Sequence, residues 1–318
     1  MNRNKLAGVV LALAVAGCSG GFEKGENGLL YKIHENKEGA NIKDGDFISV
    51  QVVAKTDGDS VLFNSYEMGR ASQLMVPKSM YKGDLYSAIE MLSEGDSATF
   101  KINADTLAKK TGQPKPNAKM KEIVYTMKVE KVIPKGKMND QEFQAKIGDF
   151  FKAEADKSRK EEPVKMNAYI SRNGLKVSKT ASGLQYEIVK QGTGEKPAVG
   201  DTVKVNYTGR LLTGNVFDTS IQDTAKKHNK LDPMRKYEPI RFPVGKMQVI
   251  KGWDEALLLM PKGSVAKLVV PSSLGYGEQG MGPIPPFSTL VFDVELLDII
   301  KPKEGGSAPV AAAPGVKP

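Results

Sequence analysis

The chain has 318 residues and a formal net charge of +9 at pH 7, from 46 lysine and arginine residues against 37 acidic residues. This length predicts about two domains, and the single cysteine excludes an internal disulfide framework. The two histidines, His34 and His228, lie far apart, and the sequence carries no Ser-His-Asp set, glycine-rich phosphate loop or metal-ligand cluster. We therefore expect no metal and no other cofactor.

Residues 1–17 are typical of a lipoprotein signal peptide. A basic start is followed by an apolar run far too short to span a bilayer, and small residues then lead to Cys18. The segment Val15-Ala16-Gly17-Cys18 resembles a bacterial lipoprotein box, which predicts acylation of Cys18 rather than a reactive thiol. We expect a lipid anchor in the bacterial cell envelope, at the outer membrane rather than the inner, with residues 18–27 as a tether. An export signal also argues against nucleic acid as a partner.

Residues 28–135 form the first predicted domain, and they repeat weakly later in the chain. The start, Gly28-Leu29-Leu30-Tyr31-Lys32-Ile33, parallels Gly183-Leu184-Gln185-Tyr186-Glu187-Ile188. Residues 88–96 align with residues 256–264, and the last strand pattern of the domain also recurs. An internal repeat of this size predicts two versions of one fold.

The composition becomes helical between the two repeats, over residues 136–180. Asn139 followed by Glu142 indicates a capping box, and an apolar stripe at helical spacing comprises Phe143, Ile147, Phe150 and Phe151. Pro163 is typical of the first turn of a second helix, which Asn173-Gly174 would end. The stripe either packs against a neighbouring domain or forms a seam between two copies of the chain, so a homodimer stays open.

Residues 181–301 carry clear strand and helix patterns. Residues 202–209 and 290–296 alternate apolar and polar side chains, which predicts half-buried strands with Tyr207 and Phe292 facing the core. The only tryptophan of the chain begins an apolar helix between these strands. One short helix against an antiparallel sheet is an α+β domain.

Polar groups accompany the aromatic residues of this region. Trp253 alone would be a packing residue, but Tyr207, Tyr276 and Asp218 add polar atoms to a cluster that a pure core would build from Leu and Val. A mostly apolar cavity with a few placed polar groups is typical of a binding site. The pattern therefore favours a pocket over a plain core.

Separated motifs over roughly residues 183–300 resemble the FKBP family of peptidyl-prolyl isomerases. They are VNYTG at 205–209, VFDTS at 216–220, VIKGWDEAL at 249–257, GYG at 275–277 and IPPFSTLVFD at 284–293. The family implies catalysis of rotation about a prolyl peptide bond, which needs no nucleophile. The barrier of roughly 18–20 kcal/mol comes from amide resonance, and a pocket that binds the twisted amide better than either planar form lowers it.

The resemblance also implies roles for individual residues. Trp253 would form the floor of the proline pocket, with walls made by Tyr207, Phe217, Val249, Ile250 and Phe292. Tyr276 would donate its hydroxyl to a substrate carbonyl, and Ile284 would line the rim. Asp218 would either face the twisted carbonyl carbon or hold Tyr207 by a hydrogen bond.

Some positions depart from the pattern of the family. Ile240, which we also expect to contact substrate, stands where many members carry an aromatic residue, and Met281 and Pro283 are unusual in the loop before Ile284. These rim positions put the sequence preference of the pocket in question rather than its activity. The insertion at residues 221–238 is rich in lysine and arginine and is either a solvated loop or a flap that favours acidic or extended clients.

The first repeat does not keep the pocket residues. Val52 aligns with Tyr207, a position near Asn64 aligns with Asp218, and Leu85 aligns with Trp253. We therefore expect a folded scaffold without isomerase activity, which binds clients or associates with itself.

The sequence as a whole predicts an α+β protein with two FKBP-like domains, residues 28–135 and 181–301, joined by a helical connector and followed by a disordered tail at 302–318. The expected function is that of a lipid-anchored peptidyl-prolyl isomerase that acts on proline-containing unfolded or exported polypeptides. The rival interpretation is a non-catalytic FKBP-like holdase. A purely structural envelope protein is a third possibility, which explains the set of Trp253, Tyr207 and Asp218 poorly.

Overall fold

A computed structural model describes residues 21–115 and 117–302. The predicted signal peptide, Cys18 and nearly all of the predicted tail lie outside the described residues. Contacts between Cα atoms divide the chain into two compact units: an N-terminal unit of residues 21–63 and 73–134, and a C-terminal unit of residues 64–72 and 135–302. No helix in the described ranges is long and apolar enough to cross a membrane.

The N-terminal unit is a sheet with a short helix packed on it. Its helices and strands are β1 (Glu23–Lys24), β2 (Leu30–Glu35), β3 (Phe47–Thr56), β4 (Val61–Asn64), β5 (Ser72–Met75), α1 (Leu85–Ile89), β6 (Ser97–Asn103), α2 (Ala104–Thr111) and β7 (Glu122–Ile133). The strands follow the order β1-β2-β6-β7-β3-β4, and β5 pairs with β3. Strands β2, β6, β7 and β3 pair antiparallel.

Alternation along β3 produces the core of this unit. Val50 and Val52 are buried on one face of β3, and Ala88 and Ile89 of α1 belong to the same apolar cluster. The helix starts where the sequence offers a cap, because the carboxylate of Asp84 accepts a hydrogen bond from the backbone N–H of Ser87 at 2.8 Å.

Residues 140–172 form one continuous helix, α3 (Asp140–Arg172), and not two helices that meet at Pro163. The capping box is present: the N–H of Glu142 donates to Asn139 Oδ1 at 2.9 Å, and the N–H of Asn139 donates to Glu142 Oε2 at 3.1 Å. A proline inside a helix removes one backbone hydrogen bond. On either side of Pro163, the side chains of Glu162 and Met166 bond to the rest of the C-terminal unit, at Ser272 and Gln185.

The predicted apolar stripe of α3 is only partly covered. Phe143 and Ile147 are buried, whereas Phe151 is 45% exposed. The helix ends near Asn173, and Gly174 adopts a φ of +60°, a left-handed conformation that glycine reaches without strain.

The C-terminal unit continues with β8 (Ser178–Lys179), β9 (Gln185–Lys190), β10 (Thr202–Leu211), β11 (Val216–Thr219), α4 (Gln222–Lys227), β12 (Ile240–Pro243), α5 (Lys251–Leu259), β13 (Val265–Val270) and β14 (Leu290–Ile300). The strands follow the order β11-β10-β14-β13-β9-β8, and β12 pairs with β10. Strand β8 lies before the predicted domain boundary at residue 181 and pairs with β9. Helix α5 buries Trp253, Ala256 and Leu257 against the sheet.

The two sheets share one strand order, as the internal repeat predicts. The order β1-β2-β6-β7-β3-β4 in the first sheet corresponds, strand by strand, to β8-β9-β13-β14-β10-β11 in the second. Tyr125 pairs with Phe100 as Phe292 pairs with Leu268, so Tyr125 occupies the register position of Phe292. The predicted α+β class is confirmed.

Candidate functional site

A cavity of about 360 Å³ opens in the C-terminal unit beside the first turn of α5. Its lining residues are mostly apolar and come from the strands, from α5 and from the loops around them: Tyr207, Phe217, Asp218, Ile240, Met247, Gln248, Val249, Ile250, Trp253, Tyr276, Met281 and Phe292. The structure therefore brings together all the predicted pocket residues except Ile284.

Ile284 does not line this cavity, although the resemblance places it at the rim. It is buried in the core cluster next to the pocket. A backbone bridge joins Met281 to Ile284, with hydrogen bonds of 2.9 Å in both directions. In this tight turn Ile284 lies inside and Met281 stands at the cavity in its place.

Aromatic rings packed edge to face form the floor and walls of the cavity. Trp253 is only 2% exposed, and its ring centroid lies 5.1 Å from that of Tyr207 and 5.3 Å from that of Phe292. The rings of Phe217 and Phe292 are 5.7 Å apart and nearly perpendicular, at 87°. Each contact favours one ring orientation, so the apolar surface is preformed.

Gly209 allows these rings to meet. A Cβ atom at this position would lie 2.6 Å from Cζ of Phe217 and 2.8 Å from Cε1 of Phe292, which is closer than side chains tolerate. Because Gly209 pairs with Phe292 across β10 and β14, its missing side chain leaves room for both rings. Sequence reasoning included Gly209 in a motif but assigned it no role.

The carboxylate of Asp218 organises the polar side of the cavity. The Tyr207 hydroxyl donates to Asp218 Oδ2 at 2.5 Å, and the backbone N–H of Thr219 donates to Oδ1 at 2.8 Å. The guanidinium of Arg235 forms an ion pair with Oδ1 and also donates to the Tyr207 oxygen at 3.1 Å. Of the two roles left open for Asp218, the structure contains the hydrogen bond to Tyr207.

Both tyrosine hydroxyls at the cavity are held in their neutral form. Burial raises the pKa of Tyr207 well above its usual range, and the Asp218 carboxylate adds to the shift while Arg235 opposes it. Burial likewise raises the pKa of Tyr276, again with a contribution from Asp218. Neutral phenols keep their proton, so both can act as hydrogen-bond donors at physiological pH.

Sequence reasoning did not predict Met247 and Gln248 in the lining, and it assigned no role at the site to Arg235. Arg235 belongs to the insertion at 221–238, which folds into α4 and a following turn. The Tyr237 hydroxyl closes that turn, accepting from the N–H of Asp232 at 2.9 Å and donating to the carbonyl of Lys230 at 3.1 Å. Arg235 also lies over the Tyr237 ring, 5.4 Å from its centroid. The available signal was Asp218, a carboxylate predicted beside an apolar cluster with no counter-charge assigned to it.

The sheet on a single helix, with an aromatic pocket between them, defines an FKBP-type domain. Residues 193–297 match the family of FKBP-type peptidyl-prolyl cis-trans isomerases. The chain belongs to that family.

The chain is similar to several known proteins. The FKBP-type peptidyl-prolyl cis-trans isomerase FkpA of Aeromonas hydrophila is 46% identical over 168 residues, which cover 52% of this chain and 57% of the relative. The outer membrane protein MIP of Legionella longbeachae is 42% identical over 152 residues, 47% of this chain and 59% of the relative. The crystal structure of FkpA from Escherichia coli is 36% identical, covers 52% of this chain and 74% of that one, and superposes with a TM-score of 0.39. The chain thus spans less than two thirds of the two curated relatives.

Proposed function

We propose that this chain is a peptidyl-prolyl cis-trans isomerase whose C-terminal unit acts on proline-containing unfolded or exported polypeptides. The observation that carries the proposal is the apolar cavity floored by Trp253, with neutral tyrosine hydroxyls on its polar side. The match of residues 193–297 to the isomerase family supports it.

The cavity can lower the rotation barrier without covalent chemistry. A prolyl ring placed on Trp253 would leave water, and a desolvated amide has weaker resonance than a hydrated one. Tyr276 lines the cavity, and its neutral hydroxyl would donate a hydrogen bond to a substrate carbonyl. A thousandfold acceleration requires only about 4 kcal/mol of preferential binding to the twisted amide.

Asp218 contributes to this mechanism by positioning other groups. Both of its oxygens already accept hydrogen bonds, from Tyr207, Thr219 and Arg235. A carboxylate with these partners fixes the hydroxyl of Tyr207 and gives the pocket a polar wall next to the apolar floor. Twisting the amide changes the charge on its nitrogen and its carbonyl group. Polar groups fixed beside the apolar floor can therefore stabilise the twisted state.

An exchange assay on the full-length chain tests the proposal. Wild-type protein should accelerate cis-trans exchange of a proline-containing peptide, and Trp253→Leu should lose most of that activity because the aromatic floor is gone. Phe143→Leu, on α3, is a matched substitution of a buried aromatic residue and should keep the activity. Wild-type protein that binds the peptide without accelerating exchange would instead support the holdase interpretation.

The holding of unfolded chains is a second candidate function, and one observation in the N-terminal unit favours it. Strand β4 lies at the edge of its sheet within the described residues, and Val61, Leu62 and Phe63 on it are 52%, 45% and 41% exposed. An exposed apolar edge strand can pair with an extended polypeptide. Leu62→Lys should weaken suppression of client aggregation while peptide isomerisation stays unchanged. Equal suppression of client aggregation by wild type and Leu62→Lys would show that β4 does not bind unfolded chains.

We further propose that the chain is anchored in the bacterial cell envelope through a lipid on Cys18. The lipoprotein box supports this attachment, and the name of the Legionella relative, an outer membrane protein, is consistent with the location. A homodimer that forms through α3 stays a prediction, which the exposure of Phe151 on this helix supports.

A further inference from the structure

We propose that Glu162, on the connector helix α3, is a positioning residue for the pocket, because it holds the loop that carries Tyr276. This loop, residues 271–289, connects β13 to β14 and is called the Tyr276 loop below. The inference rests on the proposed isomerase function and extends it to a residue outside the cavity.

One carboxylate binds both ends of the Tyr276 loop. At the start of the loop, Glu162 Oε1 accepts from the backbone N–H of Ser272 at 2.5 Å, and Oε2 accepts from its hydroxyl at 2.7 Å. At the end of the loop, the hydroxyl of Thr289 donates to Oε1 at 2.9 Å. Ser272 and Thr289 are both buried and Glu162 is partly buried, so these charge-assisted bonds are partly shielded from water.

Ser272 is hydrogen-bonded in turn to the residues on either side of Tyr276. Its carbonyl accepts from the N–H of Gly275 and from the N–H of Gly277, both at 2.9 Å. The N–H of Phe287, on the returning part of the loop, then donates to the carbonyl of Gly277 at 3.0 Å. The conformation of the backbone around Tyr276 therefore depends on the position of Ser272, and Glu162 holds Ser272 in that position.

The loop needs such an anchor because its local sequence supplies little regular structure. It contains two glycines next to Tyr276 and one 3-10 turn, Ser272–Leu274, that has no side-chain cap of its own. Glycine leaves the backbone free to adopt many conformations. Glu162 comes from a different element and can cap this turn, so helix α3 contributes to the geometry of the pocket.

The experiment measures catalysed exchange in the full-length chain for Glu162→Ala and for two controls. Glu161→Ala removes a neighbouring carboxylate whose partner is Lys165, at 2.8 Å on the surface of the helix. Lys165→Ala removes the other member of that surface pair, which is exposed to solvent. We expect Glu162→Ala to lower kcat/KM on the order of tenfold, because small misplacements of a contacting group are costly. Glu162→Gln should lose less, and both controls should stay within about twofold of wild type.

A second background separates positioning from general destabilisation. In Tyr276→Phe protein the substrate hydrogen bond is already absent, so Glu162→Ala should add less than about a threefold loss. Hydrogen exchange at the amides of Gly275 and Gly277 should become faster in Glu162→Ala and not in Glu161→Ala. Wild-type activity in Glu162→Ala, or an equal loss in both backgrounds, would overturn the inference. Inactive wild-type protein would overturn the proposed isomerase instead, and hydrogen exchange would then still report whether Glu162 orders the loop.

Discussion

Arg235 forms an ion pair with Asp218, 17 positions earlier in the chain, and so ties the insertion at 221–238 to the polar side of the cavity. The same guanidinium donates to the hydroxyl of Tyr207. A segment that the sequence presents as a basic loop thus supplies the counter-charge of the pocket.

Replacing Arg235 should therefore affect activity, whereas replacing its neighbour should not. Arg235→Leu leaves a half-buried carboxylate without its cation, which costs about 1–3 kcal/mol of folding free energy. It also frees Tyr207 and Asp218 to move, and we expect kcat/KM to fall by about tenfold. Lys236→Ala is the control, because Lys236 is exposed. Equal exchange rates for Arg235→Leu and wild type would show that this ion pair has no part in the pocket.

Gly209→Ala should disturb the aromatic walls. The added Cβ would fall 2.6 Å from the ring of Phe217, so both Phe217 and Phe292 must shift. Overpacking of this kind costs about 1–3 kcal/mol, and we expect a lower unfolding midpoint together with weaker peptide binding. Gly148→Ala on α3 has no atom within 4 Å of the new Cβ and should be neutral or slightly stabilising. Unchanged stability in Gly209→Ala would contradict this packing.

The buried hydroxyl of Tyr207 predicts a pH dependence of stability. Burial raises its pKa above the ordinary value of 10.0. Because the folded pKa is the higher one, unfolded chains lose this proton first as the pH rises, and the contribution of Tyr207 is present below about pH 10 and lost above it. Between roughly pH 8 and pH 11, urea unfolding should show a larger loss of stability in wild type than in Tyr207→Phe. Parallel losses in the two proteins would refute the assignment.

Lipid attachment is tested at Cys18. Cys18→Ala should give an unprocessed precursor that carries no lipid and no longer partitions into detergent. The measurement is metabolic labelling with a fatty acid, together with phase partitioning, in a bacterial host. A labelled Cys18→Ala protein would show that the lipoprotein box has been misread.

Local patterns predicted the strands and the floor of the pocket well. Alternation is a property of neighbouring residues, so it placed Tyr207 and Phe292 on the core side without knowledge of the tertiary fold. The place of Trp253 on a short apolar helix followed from helical spacing in the same way.

Contacts between distant segments could not be predicted from such patterns. The place of Arg235 depends on how the insertion folds, and the burial of Ile284 depends on a turn made with Met281. The continuity of α3 across Pro163 was likewise missed, because Glu162 and Met166 find partners in the C-terminal unit that a local helix signal does not contain.

The last prediction separates an isomerase from a holdase and concerns Asp218. Asp218→Val removes the acceptor of Tyr207, Thr219 and Arg235 while the apolar floor stays in place. Phe217→Ala removes apolar wall instead, at a cost of about 3–5 kcal/mol in folding or pocket energy. We expect Asp218→Val to reduce kcat/KM on the order of tenfold or more, and to reduce affinity for a proline peptide much less.

The measurement is paired, with peptide affinity and catalysed exchange determined on the same folded protein. Phe217→Ala should lower both quantities together, because the lost wall contacts planar and twisted prolyl amides alike. Asp223→Ala, on the exposed side of α4, is the control and should leave both unchanged. Equal losses of affinity and rate in Asp218→Val would keep the isomerase but refute the polar role of Asp218. A wild-type chain that binds the peptide without catalysing exchange would identify the pocket as a binding site of a holdase, which has no isomerase activity.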